Sequence, residues 1–277
     1  MNERNMREEI VRKLGEIEEK EQVKILYAVE SGSRAWGFAS PDSDYDVRFF
    51  YVRKPEDYLR LDQKRDVIEW QLDEVFDMNG WDIRKAMVQF RRSNVSLFEW
   101  SRSPIVYWRR EEWEEVCQAT EKYFNVKSAL YQYYGTARNT YCQFLLGDEV
   151  KYKKYFYALR PLLACRYIWE HRCPPPIVFD ELMKADECLE SGLRREIEAL
   201  VERKKQTVEA ESNPQIPCIQ EFIRKELDVW KERIGGMAEE KNEDWEALNQ
   251  VFLKLISLIG VCLEPQKREK ERKYELS

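Results

Sequence analysis

Two aspartates spaced one residue apart, Asp44 and Asp46, stand at the start of the apolar run DYDVRFFYV, and Ser33 of a Gly-Ser pair lies eleven residues before Asp44. Carboxylates at i and i+2 of a strand project from one face, about 7 Å apart. Two such oxygen-rich groups can share hard cations such as Mg²⁺. The turn at Gly32 and Ser33 is poor in side chains, which lets phosphate oxygens approach backbone N–H groups. The stretch SGSRAWGFASPDSDYD therefore suits a nucleoside triphosphate and its divalent metals. A DxD alone also occurs in solvated turns. The alternating strand behind it and the Gly-Ser turn ahead of it set this one apart.

Competing chemistries are thin. His171 is the one histidine of the chain, so Ser-His-Asp and Cys-His catalysis would both have to pass through it. It sits in EHRCPPP at an expected helix end, the place of a solvent-facing or capping residue. Seven cysteines, with no CxxC pair, give neither a zinc site nor a disulfide framework. They read as reduced thiols, mostly buried, in a cytoplasmic protein.

Several elements must position the acids. Residues 2–21 form an amphipathic helix pattern with Ile10, Val11, Leu14 and Ile17 at helical spacing. VKILYAVE, 23–30, reads as an apolar strand, and RAWGF as the first turn of a helix. In DYDVRFFYV, Asp44, Asp46, Arg48 and Phe50 share one face, with Tyr45, Val47, Phe49 and Tyr51 on the other. The second face is expected to pack on helices and the first to carry the acids toward a cleft. Pro55 to Leu61 reads as a short helix or loop. DVIEWQLDEVFDM supplies one or two further strands, and NGWDIRKAMVQFRRSN opens a helix. From about residue 109 onward only helices are expected: 109–123, 126–146, 150–172, 190–209, 216–235 and 242–262. The fold class expected is α+β, a small α/β unit with a mixed sheet followed by an all-helical domain. The boundaries fall at 1–108, 109–265 and a charged tail, 266–277.

Composition excludes other classes. With 43% apolar and 35% charged residues among 277, the chain is globular rather than disordered. No apolar run approaches the roughly 18 residues of a membrane span, and no secretory apolar region follows the charged N-terminus, so no membrane partner is expected. A net charge of -6 argues against a globally basic nucleic-acid coat but leaves room for a local basic groove. Nothing in the sequence points to an oligomeric state.

GSRAWGFASPDSDYDVRFFYV, followed by NGWDIRKAM and SLFEWSRSPIVY, resembles the predicted nucleotidyltransferase family of the DNA polymerase β superfamily often labelled RlaP-like and linked to RNA repair. The resemblance runs over roughly residues 24–172. It implies that Gly32 and Ser33 contact the triphosphate and that Asp44 and Asp46 bind metal. It also implies a third carboxylate in an apolar-acid-apolar strand. Asp77, in Phe76-Asp77-Met78, fits best; Asp82 is the second choice and Glu69 the third. Two Mg²⁺ or Mn²⁺ ions would neutralise the pyrophosphate leaving group and activate an acceptor hydroxyl. Asp77 would then serve as ligand and possible proton acceptor.

Cations complete the expected site. Arg34 adjoins the turn, and Arg84 and Lys85 open the following helix; Arg34 and Lys85 are the phosphate candidates. In the helical region, bases interleave with aromatics between Lys151 and Arg160, a pattern that suits a nucleotide or a single-stranded end. Tyr152, Phe156, Leu159 and Leu163 keep core spacing there, which leaves Lys154 and Arg160 facing a ligand. Pro161 would kink or restart this helix and aim Arg160 at a cleft between domains. Trp36, Trp70, Trp81 and Trp100 read as packing residues, and Glu99 and Tyr107 carry no assigned chemistry. The function expected is transfer of a nucleoside monophosphate from an NTP to a hydroxyl, with an RNA or tRNA end favoured by the family. The alternatives are AMP transfer to a protein or small molecule, and a non-catalytic nucleotide-binding module.

Overall fold

The computed structural model describes residues 3–41, 43–72, 75–206, 212–238 and 243–262. The charged tail expected over 266–277 lies outside them. Helix α1, Glu3–Glu21, lays Met6, Ile10, Leu14 and Ile17 as one buried stripe. It leads into β1, Lys24–Glu30, every residue of which after Lys24 is buried. One helical turn, α2 (Gly32–Ala35), then separates β1 from β2, Tyr45–Val52. After α3 (Pro55–Leu59) come β3, Val67–Leu72, and β4, Phe76–Asp82.

NGW is therefore strand, not helix opening. The helix α4, Ile83–Arg91, begins only where the Asp82 carboxylate caps it by accepting from the Arg84 N–H at 2.8 Å. Helix α5, Val95–Trp100, is capped in the same way by Asn94. The chain after the SRSP segment supplies β5, Val106–Arg109. It pairs with β1 and completes a sheet in the order β3-β4-β2-β1-β5. The β2–β4 pair is parallel and the other pairs are antiparallel, so the mixed sheet of the α+β expectation is present.

Helices cover both faces of this sheet. Val47, Phe49 and Tyr51 pack on the α1 stripe. On the opposite face, Phe50 and Val52 are buried against α4, α5, α6 (Glu112–Thr120) and α12 (Glu246–Cys262). The acid-bearing face is thus sealed at its Phe50 end and left half-open only around Asp46 and Arg48.

The remaining helices form a separate core: α7 (Val126–Phe144), α8 (Lys153–His171), α9 (Phe179–Ala185), α10 (Ser191–Gln206) and α11 (Pro217–Gly235). One departure from the all-helical expectation, and one from the expected break at Pro161, occur there. Glu149–Lys151 (β6) pairs antiparallel with Ser212–Pro214 (β7), a pairing too short to leave a periodic signal. Pro161 lies inside α8, which continues through it. The half is also not self-contained, because α6 and α12 share the core of the sheet. No helix among the described residues is long and apolar enough to cross a membrane.

Cysteines follow the same packing logic imperfectly. Six described cysteines are free, but only Cys165 is buried, while Cys142, Cys188 and Cys218 are exposed. The expectation of mostly buried thiols is corrected: these three lie on helix surfaces and beside loops, where a small side chain is not recruited to a core.

Candidate active site

Parallel pairing of β2 with β4 places Asp46 directly opposite Asp77. Two strands that begin in step thus bring together acids 31 positions apart in the chain. Between them lies Arg48, two residues along the same face. Its Nη2 donates to Asp46 Oδ1 at 2.9 Å and to Asp77 Oδ2 at 2.7 Å, and its Nη1 donates to the Asp77 carbonyl at 2.8 Å. The side chains of Asp46, Arg48 and Asp77 are 24%, 16% and 34% exposed. One cation is shared by two half-buried carboxylates.

Asp46 is held tightly. Its backbone N–H donates to Glu30 Oε1 at 2.8 Å, and its carbonyl accepts from the Ser31 N–H at 2.8 Å. Burial pushes its carboxyl up to about 6, opposed by Arg48 and assisted by the charges of Asp44 and Asp77. Gly32 adopts a φ of +61°, and a Cβ there would fall 2.1 Å from Asp46 Oδ2. Only glycine allows both the left-handed turn and the seating of that carboxylate against it. Ser33, the next residue, is buried in α2.

Asp44 lies just ahead of β2 and is exposed. Its carbonyl accepts from Arg34 Nε at 2.9 Å, while Arg34 Nη2 donates to the Ser43 carbonyl at 2.6 Å. The Arg34 guanidinium lies 3.8 Å from the centre of the Tyr45 ring. Gly32, Ser33, Arg34, Asp44, Asp46 and Asp77 therefore gather at one end of the β1–β2–β4 strands.

The other nominated residues lie elsewhere. Asp82 sits at the far end of β4, about 16 Å from Asp77 at the rise of a strand, where Tyr58 Oη donates to it at 3.0 Å. Lys85 is at that end too, paired with Asp66 at 3.0 Å and stacked on Trp81. Position after the motif along the chain is not position beside it, because β4 runs parallel to β2 and carries its following helix away. Glu69, on β3, faces Asn79 in register and pairs with Arg65.

Arg160 is 2% exposed and bound to Glu99 Oε1 at 2.6 Å, with its guanidinium over Trp36. Tyr133 Oη donates to the same Glu99 oxygen at 2.6 Å. The kink argument that aimed Arg160 at a ligand fails, since α8 stays continuous and turns that side chain into the junction with α5. Lys154 stacks on Phe144 at 4.0 Å and Tyr157 at 5.6 Å.

Three contributors escape the sequence reading: Arg48, Glu30 and Tyr107. Glu30 is fully buried, accepts from Tyr107 Oη, and is pushed up to about 7 by burial. The signal available is an acid closing the otherwise apolar strand VKILYAVE directly before the Gly-Ser turn.

The donor set fits a hard divalent cation. Mg²⁺ is commonly held by one or two carboxylates and completes its shell with substrate phosphates and water. The Arg48 guanidinium between Asp46 and Asp77 stands where a cation between two carboxylates is accommodated. Among the described residues, no group of three or more carboxylate, cysteine or histidine ligands closes on one point, so substrate oxygens would have to complete any metal shell.

The site is thus a Gly-Ser turn packed against the second acid of a DxD strand, with a third acid in register on a parallel neighbour. The profile of the RNA repair pathway DNA polymerase beta family matches residues 6–254. The chain belongs to that family. Its membership makes the protein nucleotidyltransferase-like. It is 41% identical over 252 residues to "Uncharacterized protein YcgL" of Bacillus subtilis (strain 168), covering 91% of this chain and 96% of that one. Among solved structures, a nucleotidyltransferase-like protein from Exiguobacterium sibiricum 255-15 aligns over 91% of this chain and 80% of its own at 11% identity. The TM-score is 0.28.

Proposed function

We propose that this family member is a metal-dependent nucleotidyltransferase that moves a nucleoside monophosphate from an NTP to a hydroxyl of an RNA end, releasing pyrophosphate. The observation that carries the reading is the register of Asp46 with Asp77, with Gly32 closed against Asp46. Asp46 and Asp77, with Asp44 at the rim, would hold Mg²⁺ or Mn²⁺. When bound, such ions supply charge neutralisation at the phosphates and acidify an acceptor hydroxyl.

This chain's own residues do the rest. Gly32 and Ser33 admit the triphosphate close to the backbone, since no side chain stands at Gly32. Arg34 donates to the Ser43 and Asp44 carbonyls and so braces the backbone that leads into the DxD strand. Glu30 and the Ser31 N–H fix the Asp46 peptide from both sides, so its carboxylate points one way. The hydroxyl oxygen attacks the α-phosphorus, the bond from that phosphorus to the β-bridging oxygen breaks, and pyrophosphate leaves with that electron pair. Asp77, the more exposed acid of the pair, receives the hydroxyl proton.

Incubation with each α-³²P-labelled NTP, Mg²⁺ or Mn²⁺, and total cellular RNA tests the reading. Label in RNA, lost in Asp44→Ala/Asp46→Ala, supports it and names the base. Label on protein alone would replace RNA with a protein acceptor. Absence of both label and metal-dependent NTP binding would end the catalytic claim.

A further inference from the structure

A cavity of about 600 Å³ adjoins the Gly-Ser turn on the side of Tyr45, lined by Arg4, Arg7, Arg34, Tyr45, Ile105 and Tyr107 together with Gly37 and Ala39. Tyr45 and Tyr107 pack on the α1-side cluster, so this cavity lies around the sheet end from the Asp46 face. Three guanidinium groups meet there, and no acid is among the lining residues. In a chain of net charge -6 that local balance stands out. The cavity of about 460 Å³ at the far end of β4 carries Arg53, Lys64, Arg65, Arg84 and Lys85, but they are interleaved with Asp57, Asp66 and Asp82. Those charges are largely spent on one another.

The arginines near the turn are not spent. Arg7 donates to the Val106 carbonyl, and Arg34 donates to the Ser43 and Asp44 carbonyls. A carbonyl orients a guanidinium without cancelling its charge. Arg4 pairs with Glu8, both sides well exposed, an interaction worth little. Arg34 stacks on Tyr45 at 3.8 Å and Arg7 over Tyr107 at 5.4 Å. Each contact sets a guanidinium against an aromatic ring, and a guanidinium plane can stack on an unpaired base while its edge meets phosphate. A duplex keeps its internal bases paired and stacked and presents a wider end. Tyr45 sits between Asp44 and Asp46 in the chain, so its ring and the two carboxylates leave opposite faces of one strand from neighbouring Cα atoms about 3.8 Å apart.

Resting on the nucleotidyltransferase reading above, we propose that this cavity is the acceptor subsite. It takes the last nucleotides of a single-stranded RNA, with phosphates on Arg4 and Arg7 and a base on the Arg34–Tyr45 stack. From there the strand passes the exposed Asp44 to bring its terminal hydroxyl to Asp46 and Asp77. The NTP occupies the opposite, carboxylate-bearing side.

The test compares wild type with Arg4→Glu/Arg7→Gln, and with Arg4→Glu alone, a change at an exposed position that spares the fold. Fluorescence anisotropy reads binding of a labelled single-stranded RNA octamer, and a fluorescent ATP analogue with Mn²⁺ reads the nucleotide side separately. The double variant is expected to weaken RNA binding tenfold or more and the single variant about threefold. The salt slope should fall by about 0.7 for each phosphate that is no longer neutralised. Nucleotide affinity should stay within twofold. RNA affinity unchanged in the double variant, equal wild-type affinity for a duplex octamer, or nucleotide affinity of the double variant falling in parallel would each overturn the subsite, while wild-type binding of the nucleotide with Mn²⁺ would leave the underlying reading standing. Failure of the wild type to bind the nucleotide analogue with Mn²⁺ would instead count against the reading on which the subsite rests.

Discussion

Two arginines in this molecule each engage acidic side chains, and their surroundings give them opposite meanings. Arg48 lies between Asp46 and Asp77, with Asp44 close enough to raise Asp46 further, in a node left partly open to solvent. One positive charge faces an excess of negative ones. Arg160 faces Glu99 alone, assisted by Tyr133, and is almost wholly sealed between α5, α8 and Trp36. There the charges balance. An open node with surplus carboxylate can exchange its internal cation for another; a sealed, balanced one cannot do so without breaking the junction it holds.

The comparison breaks most readily at the sealed node. Arg160→Met leaves Glu99, only 15% exposed, without its counter-ion, and removing one partner of a buried pair costs about 3–5 kcal/mol. Urea unfolding should show that loss, and neither Mg²⁺ nor Mn²⁺ should restore it. A variant within about 1 kcal/mol of wild type, a margin far below the usual cost of a stranded charge, would mean the junction does not depend on the pair.

At the open node the expected loss is smaller and conditional. Arg48→Met leaves Asp46 and Asp77 facing one another, costing about 1 kcal/mol in EDTA given their partial exposure. Added Mn²⁺ should bring the variant back to wild-type stability. A deficit that metal leaves untouched would show that Arg48 acts as structure, as Arg160 does.

A third buried charge sharpens the contrast by its pH dependence. Burial pushes Asp82 up to about 6, although the Arg84 N–H and Tyr58 Oη both donate to it. Because the folded state raises this acid above its ordinary value, its contribution is fully present at pH below about 4 and is lost as pH rises through about 6. Asp82→Asn escapes that loss. Its stability relative to wild type should therefore improve by about 1 kcal/mol between pH 5 and pH 8. A difference that stays constant over that window would contradict the assignment.

Much of this is legible in the sequence because it is local. The Gly-Ser turn, the DxD strand and Asp77 in its apolar frame announce themselves within short windows, and so do the α1 stripe and the long helices. What escapes is set by pairing across the chain. Lys85 follows Asp77 in sequence, which suggests a place near the triphosphate, yet a parallel β2–β4 pair sends the end of β4 away from the acids. Arg160 and Lys154 match a ligand-binding composition, but composition cannot say whether an arginine meets a substrate or Glu99. Arg48 is visible on the acid face, and its bridging role appears only once Asp77 lies beside it. Strands β6 and β7, three residues each, are too short to carry periodicity.

The central claim is that the Asp46–Asp77 pair performs phosphoryl chemistry. Metal-dependent pyrophosphate release from an NTP, in the presence of a single-stranded RNA acceptor, tests it most directly in wild type, Asp46→Asn, Asp77→Asn and Lys85→Met. Wild type and Lys85→Met should release pyrophosphate at similar rates. Each aspartate variant should remain folded and fall by more than about 100-fold, beyond the cost of removing a group that merely supports a metal ligand. Release that persists in Asp46→Asn and Asp77→Asn, or that depends on Lys85 instead, would contradict the account.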